Sequence, residues 1–147
     1  IGQFDSHANN DRDQMKLIPE FLAGIDYMVT RAEALGIRER LVIVIQSEMG
    51  RTPHYNKGNG KDHWSIGSIM FMGQGIKGNR VIGATDEKQF LRPINSQTLE
   101  LNDAGIRVRP EHIHLALREH AKIANNDFSE NFPLTLPDGE ALQGLWG

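Results

Sequence analysis

The sequence predicts an α/β fold with a mostly parallel sheet, and three observations carry that expectation. The aliphatic run Leu41-Val42-Ile43-Val44-Ile45 reads as a strand buried on both faces. Ahead of it, Asn10 to Leu35 keeps its apolar residues at helical spacing. Ahead of that helix, Ile1 to Phe4 is short and apolar and reads as the end of an earlier strand. Strand, helix, strand is the order of a parallel βαβ unit.

The polar segment Asp5-Ser6-His7-Ala8-Asn9-Asn10 follows the first apolar residues. If it is still extended, alternation puts Asp5 and His7 on one face, where they could present two ligands to one cation. An ordinary surface turn would carry the same letters. Asn9 or Asn10 can cap the helix, and Asp11 and Asp13 suit its first turn. The stripe Met15, Ile18, Phe21, Leu22, Ile25, Met28, Val29, Ala32 and Leu35 is read as core packing. Pro19 predicts a kink or a late start, and Gly36 fits the position after the C-terminus.

Past the aliphatic strand comes Ser47-Glu48-Met49-Gly50-Arg51-Thr52-Pro53. Ligands of open α/β sheets bind beyond the carboxyl ends of the strands. Glu48 could ligate a cation or act as a base there, and Arg51 could hold an oxyanion. Equally, the two charges could pair across a loop. The next stretch, His54 to Trp64, sets proton-binding residues among glycines, so it is either disordered or pinned by a ligand. Asp62 could orient the imidazole of His63, and Trp64 could wall a site.

Ile66 to Met72 reads as another buried strand. Gly73-Gln74-Gly75-Ile76-Lys77-Gly78 spells a dinucleotide fingerprint, but the fingerprint must open a helix. Here a turn and a strand follow, so a glycine-rich turn is expected instead. Val81–Ala84 and Phe90–Ile94 can pair as a small antiparallel hairpin, and Thr98–Leu101 and Ile106–Val108 flank a tight turn. Pro110 opens a second helix to about Ala124. His112, His114 and His120 lie on it with no carboxylate at ligand spacing, and are expected to be solvated or partly buried. The Pro/Gly-punctuated tail, 132–139, is expected to pack along the surface.

At 147 residues the chain can bury one domain core. Its 39% hydrophobic and 24% charged content is that of a globular protein. A net charge of -3 without a basic block argues against nucleic acid as a partner. No apolar run reaches the roughly 20 residues that span a bilayer. The chain starts without Met, so a targeting segment could have been lost with an upstream part. With no Cys, any metal must be held by His, Asp, Glu and water.

Asp5-Ser6-His7, Ser47 to Pro53 and Gly60-Lys61-Asp62-His63-Trp64 resemble, in order and spacing, three motifs of a bacterial sulfatase-like family of unknown function, domain of unknown function 1501, in the alkaline phosphatase superfamily. Gly75-Ile76-Lys77-Gly78 and Val81-Ile82-Gly83-Ala84-Thr85 match as well, so the resemblance covers nearly the whole chain. It implies that residues 1–147 are the C-terminal portion of one alkaline-phosphatase-like α/β sandwich. That fold would have a mostly parallel sheet plus a small antiparallel hairpin region. It further implies hydrolysis of sulfate or phosphate esters by one or two divalent cations, Zn, Mn, Mg or Ca.

On this resemblance Asp5, His7, Glu48 and His63 are metal ligands, Arg51 contacts the anion and Asp62 orients a ligand. Met49 stands where the superfamily usually carries His, and a thioether is a poor ligand for hard cations. The superfamily's nucleophile strand lies upstream, so the chain is expected to be an incomplete catalyst that works with the missing N-terminal part of the same protein. Many relatives carry an export signal, which implies a periplasmic or exported location. The alternative from another class is a binding or structural module that keeps the sulfatase-like fold without its chemistry.

Overall fold

A computed structural model describes residues 4–147 of the chain and divides it into two units, one ending at Gln74 and the other running from Gly75 to Gly147. In the first, helix α1 spans Asn10–Ala34. Its N-cap, Asn9, sits in the left-handed region at φ 49 and makes no side-chain cap. A neighbouring loop does the capping: Asn9 and Asn10 donate their backbone N–H groups to the carbonyls of Gly58 and Asn59 at 3.0 and 2.8 Å. Those donors would otherwise lack intrahelical partners. Of the two expectations at Pro19, a kink or a late start, the late start is excluded, since the helix runs through the proline. Gly36, at φ 67, follows its end, where a left-handed residue closes the last turn.

Strand β1, Val42–Ile45, pairs antiparallel with a later strand in the register Val42↔Gly73 to Ile45↔Met70. Between them lie β2, Gly50–Arg51, and β3, His63–Trp64, which pair antiparallel as Gly50↔Trp64 and Arg51↔His63. The partner of β1 is β4, Met70–Gly73. Gly73 adopts φ 116, and a Cβ there would fall 2.1 Å from the Leu41 carbonyl oxygen, so only glycine fits this close approach.

These two small antiparallel sheets overturn the expected mostly parallel sandwich. The parallel βαβ unit needed a strand before α1. Ile1, Gly2 and Gln3 lie outside the described residues, and Phe4, Asp5 and Ser6 are not in a strand. Among the described residues β1 therefore finds its only strand partner downstream, in β4. One partner cannot cover both faces, so only Ile43 of β1 is buried. The same shortage of sheet explains α1. Ile25 and Ala32 are buried, but Met15, Ile18, Leu22, Met28 and Leu35 of the expected core stripe are exposed.

The second unit is built around Ile94, which is fully buried and bridges both Leu101 and Ile106. Ile94 and Ile106 exchange backbone hydrogen bonds at 2.8 Å each. The expected hairpin at residues 81–94 is reduced to one bridge, Thr85↔Leu91, with the Asp86 carboxylate accepting from the backbone of Lys88 and Phe90. No helix follows the glycine-rich turn, and Ile76 bridges Trp146 instead.

Helix α2, Pro110–His120, stops short of Ala124 because Lys122 turns left-handed at φ 59. Helix α3, Asp127–Glu130, is capped by the Asn126 side chain. His112 corrects its expectation. It is fully buried, its Nδ1 accepts from the Arg109 backbone at 2.9 Å, and its Nε2 meets Glu140 at 3.2 Å. The carboxylate lies 28 residues away, beyond any spacing rule. Among the described residues no helix is long and apolar enough to cross a membrane.

Because Ile94 joins two segments from a fully buried position, Ile94→Ala should cost about 2–5 kcal/mol. Denaturant unfolding measures it, and a loss under about 1 kcal/mol would contradict the central place given to this residue.

Candidate metal centre

Three segments of the first unit converge on one cluster. Phe4 to His7 is not extended as a strand. Ser6 and His7 donate their N–H groups to the carbonyls two residues earlier, at 3.0 and 3.1 Å, which is the bond of consecutive γ-turns. The buried Ser6 side chain donates to the Asn10 side chain at 2.7 Å and accepts from Gln14 at 3.0 Å. Asp5 and His7, on either side of it, both face outward and meet each other at 3.1 Å.

The second and third segments are the two strands of the β2–β3 hairpin. Their register sets Arg51 directly opposite His63. Thr52 extends the ladder: its N–H donates to the Asp62 carbonyl at 2.9 Å, and its hydroxyl accepts from the Asp62 N–H at 3.1 Å. Gly50 must be glycine, since a Cβ would fall 1.7 Å from the Ile66 carbonyl oxygen.

The loop closing this hairpin docks on the first segment. Lys61 donates its N–H to the Ser6 carbonyl at 3.0 Å, beside the contacts of Gly58 and Asn59 with the start of α1. Gly60 lies so close that a Cβ would fall 2.0 Å from the His7 carbonyl. The loop is thus ordered by its own main-chain contacts, which differs from both expectations, disorder or pinning by a ligand.

Within the cluster, the Asp5 Oδ1 lies 3.1 Å from His7 Nε2 and 3.0 Å from His63 Nε2, and the two imidazole nitrogens lie 3.0 Å apart. Arg51 donates to the same Asp5 oxygen, and to the Lys61 carbonyl at 3.0 Å. The Arg51 hydrogen bond, followed by that of His63, holds the Asp5 carboxyl down at about 2. Asp5 is therefore an anion at neutral pH. The Asp62 carboxyl is also lowered, by its hydrogen bond from His7 and then by one from Asn56.

His7 Nδ1 lies 2.9 Å from the Asp62 Oδ1. His7 Nε2 also faces a carboxylate, but that Asp5 oxygen already accepts from Arg51 and His63. In neutral His7 the shorter Asp62 contact therefore takes the proton on Nδ1, and the Nε2 lone pair is left toward His63. Neighbouring ligands at about 2.0–2.1 Å from a cation are separated by about 3.0 Å in an octahedral shell and about 3.3 Å in a tetrahedral one. The three donor atoms match that spacing. Asp5, His7 and His63 fit a divalent cation as one carboxylate and two imidazole ligands.

Of the residues singled out in the sequence, Asp5, His7, His63, Arg51 and Asp62 come together. Glu48 does not join the three-residue group. Its exposed carboxylate accepts from Ser47 at 3.3 Å. Met49 is half-buried. Asp62 sits beside His63 in sequence but bonds His7.

Sequence reasoning gave no role to Asn56, which touches both Asp62 and the His7 carbonyl. An Asn ahead of Gly58 and Gly60 is a turn signal, since its side chain can hold nearby backbone groups. It gave none to Tyr55 either, whose hydroxyl donates to Asp11 at 2.6 Å beneath the Lys61 ammonium.

A family model described as a protein of unknown function (DUF1501) matches residues 1–100, a span that contains every residue of the cluster. Neither the curated proteins nor the solved structures give a match.

The Tyr55–Asp11 bond yields a pH prediction. Its hydrogen bond to Tyr55, and then that from Asn10, lowers Asp11 from its ordinary 3.8. Stability from this carboxylate is therefore fully present above 3.8 and fades as pH falls through the lower folded value. The hydrogen bond to Asp11 raises Tyr55 above its ordinary 10.0, so its contribution is present below 10.0 and is lost as pH rises through the folded value. With Tyr27→Phe removing the other tyrosine, Asp11→Asn should move the phenolate absorbance midpoint of Tyr55 down toward 10.0. An unmoved midpoint would show that this bond does not form in solution.

Proposed function

The chain belongs to this family of proteins of unknown function, and from that premise we propose that it is part of a metal-dependent hydrolase of sulfate or phosphate esters. The observation that carries the proposal is the meeting of Asp5 Oδ1, His7 Nε2 and His63 Nε2 within 3.1 Å of one another, although His63 follows His7 by 56 residues. Asp5, His7 and His63 are the ligands. Imidazole donors favour a first-row cation such as Zn over Mg or Ca. Bound there, such a cation supplies Lewis acidity toward an ester oxygen and lowers the pKa of a nucleophile.

The charge balance supports an anionic substrate. Asp5 and Asp62 outnumber Arg51, so the cluster is negative when its imidazoles are neutral. A divalent cation reverses that sign. Arg51 then adds a guanidinium, about three-quarters shielded from water, whose fork matches a sulfate or phosphate oxygen. The choice of ester rests on the motif resemblance to sulfatase-like proteins of the alkaline phosphatase superfamily, and so does the exported or periplasmic location.

The hydroxyls of Ser6, Ser47 and Thr52, which neighbour cluster residues in sequence, are all engaged, that of buried Ser6 donating to the Asn10 side chain at 2.7 Å. Ser47 donates to Glu48, and buried Thr52 donates to the His54 carbonyl at 2.9 Å. The nucleophile is therefore water or a group from elsewhere in the whole protein. That same observation favours the second reading, a module that binds a metal without catalysing a reaction.

Calorimetric titration with Zn2+ tests the metal reading. His63→Ala should weaken binding by at least about ten-fold, as loss of even outer partners does, and unchanged affinity would remove His63 from the ligand set. Cleavage of nitrophenyl phosphate or nitrophenyl sulfate by the whole protein, abolished by the same substitution, is the result expected of a hydrolase. Tight binding with neither ester cleaved would favour the module.

A further inference from the structure

We propose that Asn56 is a positioning residue of the metal centre, fixing the His7 tautomer that can ligate. The inference rests on the metal reading above and adds a residue that no motif marks.

The Asn56 side chain uses its full hydrogen-bonding capacity. Its Nδ2 donates to the His7 carbonyl and to the Asp62 Oδ1, both at 2.9 Å. Its Oδ1 accepts from the backbone N–H groups of Gly58 and Gly60, both at 2.9 Å. An amide has two N–H donors and two acceptor lone pairs, so nothing is left over. The acceptor half folds the loop. The donor half ties that loop to the cluster.

The donor half matters because Asp62 is half-exposed and its carboxylate could otherwise rotate into solvent. The oxygen that takes the Asn56 hydrogen bond is the one that takes His7 Nδ1. Asn56 therefore aims that oxygen at the ring while holding the His7 main chain beneath it. With Nδ1–H committed to Asp62, the Nε2 lone pair is left for a cation. An imidazole free in water prefers its proton on Nε2, the tautomer that could not ligate through that atom.

Asn56→Asp separates the two halves. It is isosteric and keeps an acceptor for Gly58 and Gly60. The donor becomes a charged oxygen facing the Asp62 carboxylate and the His7 carbonyl, and both contacts turn repulsive. Ring-nitrogen NMR of the metal-free protein, at a pH where the imidazoles are neutral, reads the tautomer directly. We expect His7 to carry its proton on Nδ1 in the unaltered protein and to shift toward Nε2 in Asn56→Asp. Zn2+ affinity should fall about ten- to a hundred-fold, as for other outer partners of a ligand.

A folded variant with an unmoved tautomer would overturn the inference, and so would one with undiminished affinity. Should the variant fail to fold, the unaltered protein still decides, since a His7 proton found on Nε2 contradicts the brace outright. Failure of the metal reading looks different: the unaltered protein would bind no Zn2+ while the tautomer still answered to Asn56.

Discussion

The site depends on one contact, the docking of the loop at Gly58–Lys61 onto the main chain between Ser6 and Asn10. Three backbone hydrogen bonds make it, from Asn9 to Gly58, from Asn10 to Asn59 and from Lys61 to Ser6. Gly60 permits it, since any side chain there would collide with the His7 carbonyl. Each bond contributes about 1 kcal/mol net, but together they do more than hold a loop. They carry the β2–β3 hairpin to the first segment, so that Arg51 and His63 face Asp5, and Asp62 reaches His7. The same contact supplies the acceptors that the start of α1 lacks, so the helix and the cluster share one anchor.

The electrostatics follow from that geometry. Two donors converge on one oxygen of Asp5, from Arg51 and His63, with His7 Nε2 beside it. Such an oxygen stays ionised and holds its neighbours close. The imidazoles have their orientations fixed from opposite sides, His7 through Asp62 and His63 through its strand register with Arg51. Ligands oriented in advance leave little reorganisation to oppose a cation. The proposed metal chemistry thus rests on local packing within residues 5–63, and none of it needs a large sheet.

The sequence foretold the pieces better than their assembly. Helix α1, strand β1 and the turn at Gly73 stand where periodicity and punctuation put them, because each is decided by neighbouring residues. The sheet does not, because strand direction is decided by which strands are at hand. An aliphatic run such as Leu41–Ile45 reports that its faces want cover and says nothing of what supplies it. The apolar stripe of α1 erred for the same reason. Asp5, His7, His63, Arg51 and Asp62 were visible through three short motifs, whereas Asn56 was hidden in a loop whose glycines suggested slackness. The buried His112 was out of reach, since its partner Glu140 comes from a distant tail.

The central claim is that Asp5, His7 and His63 close on a single cation. X-ray absorption at the metal edge of the Zn2+-loaded protein tests it most directly. Two imidazole nitrogens at about 2.0–2.1 Å and one carboxylate oxygen at about 2.0–2.2 Å are expected, with the imidazole count falling to one in His7→Ala. A shell of light oxygen ligands without imidazole, or a spectrum unchanged by that substitution, would contradict it.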